Sequence, residues 1–397
     1  MSGHGAARPR PPLVDHHCHG LLRGEPDAAA FEAYLTESDA PAAPGTSYFD
    51  TQLGFAVRRW CPPLLGLPPH CPPERYLARR RELGAAEATR RLLRAAGITE
   101  FLVDTGLPGD LMGPQELAEA AGGAAREIVR LEHLAERVAD ASRTADSFLA
   151  ALDGAVRGAA LTAAGFKSVA AYRHGLDLAP TPPAPAALRA AADRWLAARA
   201  TRTARTARTD DGGGDPKAAR LADPVLLRHL LWSAARTALP LQLHTGFGDP
   251  DLRLDRCDPL LLTDFIRAVR PTGCPLILLH GYPYHRGAAY LAAVYPHVYA
   301  DVGLALTHTG ARAGAVLAEV LEVAPFGKVL FSTDAYGLPE LYAVGALLFR
   351  EALGATLARW VRDGAWSAAD AERVAALVAA GNARRVYGLN STITGNI

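Results

Sequence analysis

His17 and His19 lie two residues apart at the end of an apolar run, PLVDHHCHG (12–20). In an extended strand residues two apart share a face, so the two imidazoles stand about 7 Å apart along the backbone and point the same way. Such a pair can converge on one cation, and Zn²⁺ accepts imidazole nitrogen readily. An isolated H-x-H is weak, because a histidine at a strand end is more often a hydrogen-bonded core or rim residue. Three further positions add weight: His244 closes LQLH, His280 closes LILLH and Asp334 closes VLFSTD. Each directly follows an apolar run, so each stands at the C-terminal rim of its strand. Ionisable groups gathered in a buried place are costly without a compensating charge, and a metal ion supplies one. The expectation is a divalent metal site, Zn²⁺ foremost, among His17, His19, His244, His280 and Asp334.

Eight apolar runs must position these residues. They fall at 12–20, 98–106, 127–132, 165–173, 239–246, 274–281, 297–305 and 328–337, most of them followed by helix-like sequence. Runs without polar alternation suit strands buried on both faces. Eight of them alternating with helices predict a (β/α)₈ barrel, an α/β fold with its site at the C-terminal mouth. Ala/Arg/Leu-rich sequence at 84–96 predicts a helix stopped by Gly97, and Ser367 caps a second helix predicted to end at Gly381. Residues 13–389 read as one barrel domain with long insertions after strands 1 and 4. The first insertion (21–83) contains the Pro-rich WCPPLLGLPPHCPPERY and reads equally as a lid or as a packed outer subdomain. The second contains ATRTARTARTDDGGGDP (200–216), low in large apolar residues and expected to be a disordered loop. Residues 1–12 and 390–397 are expected to be flexible tails.

Composition narrows the classes. The 397 residues carry a formal charge of +1 and are 49% apolar, enough for a large core and giving no reason to expect nucleic acid or a membrane surface as partner. Five scattered cysteines without C-x-x-C spacing suit free thiols in a reducing compartment. No signal-peptide pattern opens the sequence. A soluble, cytoplasmic protein acting on a small molecule is expected, with self-association left open.

At this point the chain resembles the amidohydrolase superfamily, with its H-x-H after strand 1, His after strands 5 and 6, and Asp after strand 8. LQLHTGFGDPDLRL (241–254), LLHGYPYHR (278–286), FSTDAYGLPELY (331–342) and AAGNARRVYGL (379–389) resemble its second branch, and more narrowly the nodulin/FluG-type amidohydrolase domains. The resemblance spans about residues 13–389, without the glutamine synthetase portion to which such domains are sometimes fused. It implies one or two divalent ions with His17, His19, His244 and Asp334 as ligands, His280 catalytic or a ligand to a second ion, and Asp334 as general base toward a metal-activated water. It also implies a test at Lys167, in GFKSVAAYR, because binuclear members carry a bridging carbamylated lysine on strand 4. The F-K-x-x-x-A-Y spacing looks like that of cyclic-amide hydrolases and would make Tyr172 an oxyanion donor. Against this, strand parity counted back from Arg173 as a rim residue puts Lys167 about 20 Å down the strand, paired with an acid such as Glu132.

Arg173 and His174 are candidates for a substrate carboxylate, since a guanidinium fork matches one bidentately; an ion pair with a loop acid is the plainer reading. Glu132, ending VRLE, could face inward near the substrate or orient a neighbour. Asp301 reads as structural, and Asp104 as a support behind the ligands. The functional expectation is hydrolysis of a C–N, amide-type bond in a small, carboxylate-bearing substrate. Its alternatives are a non-oxidative decarboxylase on the same site, or a regulatory module with a vestigial site.

Overall fold

The computed structural model describes residues 11–206 and 220–389. Eight parallel strands occur in chain order: β1 (Leu13–Cys18), β2 (Ile98–Asp104), β3 (Ala124–Arg130), β4 (Gly165–Ser168), β5 (Leu241–Thr245), β6 (Leu276–His280), β7 (Val298–Asp301) and β8 (Val329–Leu330). Each pairs with the next, and helices fill the connections. The last strand is short, yet the chain beyond it runs on beside β1: His16 N–H donates to Phe331 O, Asp334 N–H to His17 O and His19 N–H to Ala335 O. These bonds close the seam, and the fold is a (β/α)₈ barrel.

Side-chain parity sorts the barrel. Val14, Leu102, Ile128, Ile277 and Leu330 face inward and form one apolar cluster with Ala380, Ala383, Tyr387 and Leu389 of the C-terminal segment. Their neighbours Leu13, Phe101, Phe166, Leu243 and Leu278 face outward into the larger core between strands and helices. A polar layer lies within: Gln242 donates to His16 O and the Tyr387 hydroxyl, and His16 bridges Tyr387 and Asp301. Continuing the parity, Asp104, Arg130, Lys167, His244 and Asp301 point into the barrel at the strand ends.

The helix Ala85–Ala96 stops at Gly97, whose φ of +63° is the left-handed cap a glycine permits. Ser367 caps Ala368–Ala376, but this helix does not end at Gly381; it passes through a π-helical turn, Leu377–Gly381, into Asn382–Val386. The insertion after β1 is largely helical and contributes Phe31, Leu35, Phe49, Leu53, Val57 and Leu65 to the main core. In the second insertion, the loop expected over 200–216 is corrected in part: 200–206 complete the helix Pro185–Thr206, where alanine and arginine favour helix. Residues 207–216 lie outside the described residues, as do 1–10 and 390–397 of the expected tails. Helix Pro339–Arg362 is long and apolar enough to cross a membrane, but 72% of its most apolar stretch is buried inside the protein. It is a core helix.

Candidate metal centre

β1 delivers two imidazoles to the mouth through an irregularity in its pairing with β2 between Asp15 and Cys18. His16 has already turned inward, and the break lets His17 and His19 turn inward as well, their ring centroids 5.0 Å apart. Asp15 holds the opposite seam: its carboxylate accepts from Thr333 Oγ1 at 2.5 Å and Thr333 N at 3.0 Å. Burial pushes that carboxyl up to about 8, against the pull of these bonds. One residue after Thr333, Asp334 Oδ1 lies 3.0 Å from His17 Nε2 and 3.3 Å from His19 Nε2, while Oδ2 lies 3.6 Å from His280 Nε2.

His280 and Asp334 have left-handed backbones, φ +67° and +53°. Such a conformation is sparsely populated by non-glycine residues and marks sites where surrounding structure imposes it. For His280 the reason is visible. Inward positions on β6 are Ile277 and Leu279, so plain parity would send His280 outward; the positive φ turns its ring back into the mouth. The His280 ring then lies 5.7 Å from that of His17 and 4.7 Å from that of His244.

Donor atoms of His17, His280 and Asp334 all lie within 4.8 Å of one another, as do those of His17, His19 and Asp104. The first set is the better cation site, because the Asp104 carboxylate is already taken by Arg130 and Gly106 N–H. His244 adjoins it through His280. Burial lowers His17 to about 3 and holds His244 and His280 below the usual 6.5, leaving neutral imidazoles. Burial also pushes Asp334 upward, but His280 and the bonds to His17 and His19 outweigh it and keep the carboxylate ionised. His17 Nδ1, His244 Nε2 and both ring nitrogens of His280 are buried without a hydrogen-bond partner. Buried polar atoms are nearly always paired, so these nitrogens are what a divalent cation would satisfy. The residues fit the group.

Lys167 is the main correction. It is not far down the barrel: its Nζ lies 3.1 Å from His17 Nε2. Arg173 was the wrong rim marker, because β4 ends at Ser168 and the chain coils into the helical turn Ala170–Arg173. Burial brings the Lys167 ammonium down to about 8. That same turn lays the Tyr172 ring 4.4 Å from His244, so Tyr172 belongs to the site.

Glu132 is not at a strand end. β3 stops at Arg130, and Glu132 sits in the first turn of the next helix, accepting from Ser168 Oγ at 2.6 Å and Val169 N at 3.1 Å. It braces the end of β4 behind Lys167 and does not pair with that lysine. Arg173 turns to Glu136, 3.6 Å away, and His174 to Asp177 and Arg256, the loop ion pairs of the plainer reading. Neither joins the imidazoles.

Two supports were undervalued. His19 Nδ1 lies 3.1 Å from Asp104 O, and Asp301 accepts from His280 N–H at 3.1 Å while contacting His16 and Ser332. Both close their strands as His244 and His280 do, the signal that could have found them. Arg130, closing β3, went unnoticed.

The family described as Amidohydrolase matches residues 110–389. The chain belongs to that family. Within it, 232 residues are 34% identical to Protein fluG of Emericella nidulans, covering 57% of this amidohydrolase and 26% of that protein. The chain thus spans about a quarter of that relative's length. A solved Lactobacillus casei protein, provisionally named a metal-dependent hydrolase, superposes with a TM-score of 0.82 at 28% identity over 95% of each chain. Glucuronate isomerase of Caulobacter crescentus shares the fold at a TM-score of 0.58 and 16% identity, over 96% of this chain and 92% of that one.

Proposed function

We propose that this amidohydrolase is a metal-dependent hydrolase that opens an amide-type C–N bond of a small, carboxylate-bearing substrate. The observation that carries the reading is the set of unpartnered imidazole nitrogens of His17, His244 and His280 gathered beside the ionised Asp334. His17, His19, His244 and Asp334 would hold one divalent cation, Zn²⁺ by its preference for imidazole and carboxylate. When bound, such an ion lowers the pKa of a water to about 7 and polarises a carbonyl oxygen.

The chain's own residues supply the rest. Asp334 Oδ2 takes the proton released from the attacking water and returns it to the leaving nitrogen, the part of a general base and then acid. The contacts of its Oδ1 with His17 Nε2 and His19 Nε2 help keep it ionised beforehand. Tyr172, its ring 4.4 Å from that of His244, would donate its hydroxyl to an oxyanion. Asp301 and Asp104 fix the orientations of His280 and His19.

The test is product analysis in ¹⁸O water with protein carrying measured metal. Incorporation of ¹⁸O into a carboxylate product supports hydrolysis; CO₂ release without incorporation replaces it with decarboxylation. Metal stoichiometry decides Lys167: one ion per chain leaves it an ammonium beside His17, and two make it a bridging ligand.

A further inference from the structure

We propose that Arg130 receives an anionic, carboxylate-type end of the substrate, an inference that rests on the mouth being the substrate site. Inward parity on β3 runs Ile128, Arg130, and Arg130 pairs in register with Lys167 of β4, so both side chains open onto one space. Arg130 directs Nε (3.0 Å) and Nη2 (2.6 Å) at a single oxygen, Asp104 Oδ2. That leaves Nη1 with no partner among the described residues, and 11% of the side chain still meets solvent. The fork is therefore held from behind with one donor edge free.

Its seat is built. A Cβ at residue 106 would come within 2.4 Å of Arg130 Cβ and 2.7 Å of Nε, so only the glycine found there lets the guanidinium lie where it does. What surrounds the free edge is donor-rich: the Lys167 ammonium in register beside it, and the Tyr172 hydroxyl, which burial keeps protonated despite the pull of Arg130. Of the acceptors nearby, Asp104 is engaged by Arg130 and Gly106 and Glu132 Oε1 by Ser168 and Val169, which leaves Glu132 Oε2 as a single open acceptor against the donors of Arg130, Lys167 and Tyr172. A substrate group meeting this side must accept hydrogen bonds, and a planar carboxylate matches a guanidinium edge. Arg173 keeps an unpartnered Nη1 but turns to Glu136, and His174 turns to Asp177, so neither shares the space onto which Arg130 and Lys167 open. The bond to be cleaved would lie across the mouth, toward Asp334 at the β8–β1 seam.

Succinamate and succinamide test this, being alike in size and differing in one carboxylate. Calorimetric titration of metal-loaded protein should show succinamate binding about tenfold or more tightly than succinamide, as a charge-assisted bidentate contact predicts. Arg130→Met should abolish the difference. Arg130→Lys, which keeps a cation beside Asp104 and guards against a folding failure in the first variant, should shrink it by loss of the planar fork. A preference that survives both substitutions, a wild type that binds neither probe or both alike, or tighter binding of cationic 4-aminobutanamide than of succinamate would each overturn the proposal. None of these readouts requires turnover, so a carboxylate preference carried by Arg130 stands even if the hydrolase reading fails.

Discussion

Two groups of charged and polar side chains are buried in this molecule, and they are built on opposite plans. Where the first insertion meets helix Pro339–Arg362, Arg80 is 2% exposed and Glu340 fully buried. Arg80 Nε lies 2.7 Å from Glu340 and Nη1 lies 2.9 Å from Glu25, while the Tyr76 hydroxyl donates to Glu340 at 2.7 Å. Opposite charges there meet directly, and no residue of the group has a left-handed backbone. At the barrel mouth four imidazole nitrogens have no partner, and His280 and Asp334 sit at positive φ. In the first group Arg80 Nε, Glu25 Oε2 and Glu340 Oε2 also lack a hydrogen bond, but their opposite charges are matched within the group, which fastens the insertion to the barrel. The second keeps its polarity open toward a shared space, at the cost of backbone strain.

The sharpest break of this contrast is Asp334→Asn, which keeps the shape and removes the proton acceptor. Turnover should fall about 10²–10⁴-fold, the usual worth of a positioned acid–base group, with circular dichroism unchanged. Near-normal turnover would put the open cluster on the same footing as the closed one.

Arg80→Met asks the opposite question. It strands Glu340 and should cost about 3–5 kcal/mol in denaturant unfolding, while metal content per chain stays at the wild-type value. The double variant Arg80→Met, Glu340→Gln should recover much of the loss. Metal released by Arg80→Met would show that the two groups are not independent.

Chelation comes next in size. A cation present at about 100–1,000 times its dissociation constant stabilises the folded state by about 3–4 kcal/mol. EDTA should remove that increment from wild type and from Arg80→Met equally, as expected for distant sites. An unchanged melting temperature after EDTA, in protein shown to lose its metal, would contradict the role given to the unpartnered nitrogens.

How much of this could be read from the sequence depends on which physical rule governs each residue. The eight strands were legible because buried parallel strands write themselves as continuous apolar runs, and His17, His244 and Asp334 because each ends such a run. Parity was trusted too far after β4. It placed Lys167 deep in the barrel by assuming extended chain to Arg173, whereas the chain leaves the strand at Ser168. The same overextension put Glu132 on a strand and hid Arg130, the true last residue of β3. His280 illustrates the reverse. Its ring lies in the mouth although parity alone would have turned it outward, because a positive φ leaves no mark in residue type. Loop partners of Arg173 and His174 depend on tertiary approach, which no local pattern records.

The smallest effect separates the two groups by pH. His17, His244 and His280 are buried in neutral form, with folded pKa values below the usual 6.5, His17 at about 3. Between the folded and unfolded values the unfolded chain binds protons that the folded chain refuses. Stability of the metal-free protein therefore falls as pH drops below about 6.5, by about 1.4 kcal/mol per pH unit for each such imidazole. Asp334, whose folded pKa is depressed below 3.8, and Lys167, near 8 when folded, titrate on either side of pH 5–6, while Asp15, raised to about 8 when folded, is ionised only in the unfolded chain there and offsets the slope of one imidazole. Denaturant unfolding of metal-free His17→Asn across pH 5–6 should show a slope shallower by about 1.4 kcal/mol per pH unit. Arg80 stays charged throughout this range, so the double variant Arg80→Met, Glu340→Gln, which leaves no stranded Glu340 carboxyl to titrate, should shift the whole curve without changing its slope. If His17→Asn merely lowers the curve as well, the imidazole is not buried neutral, and the mouth differs from the anchor in composition but not in kind.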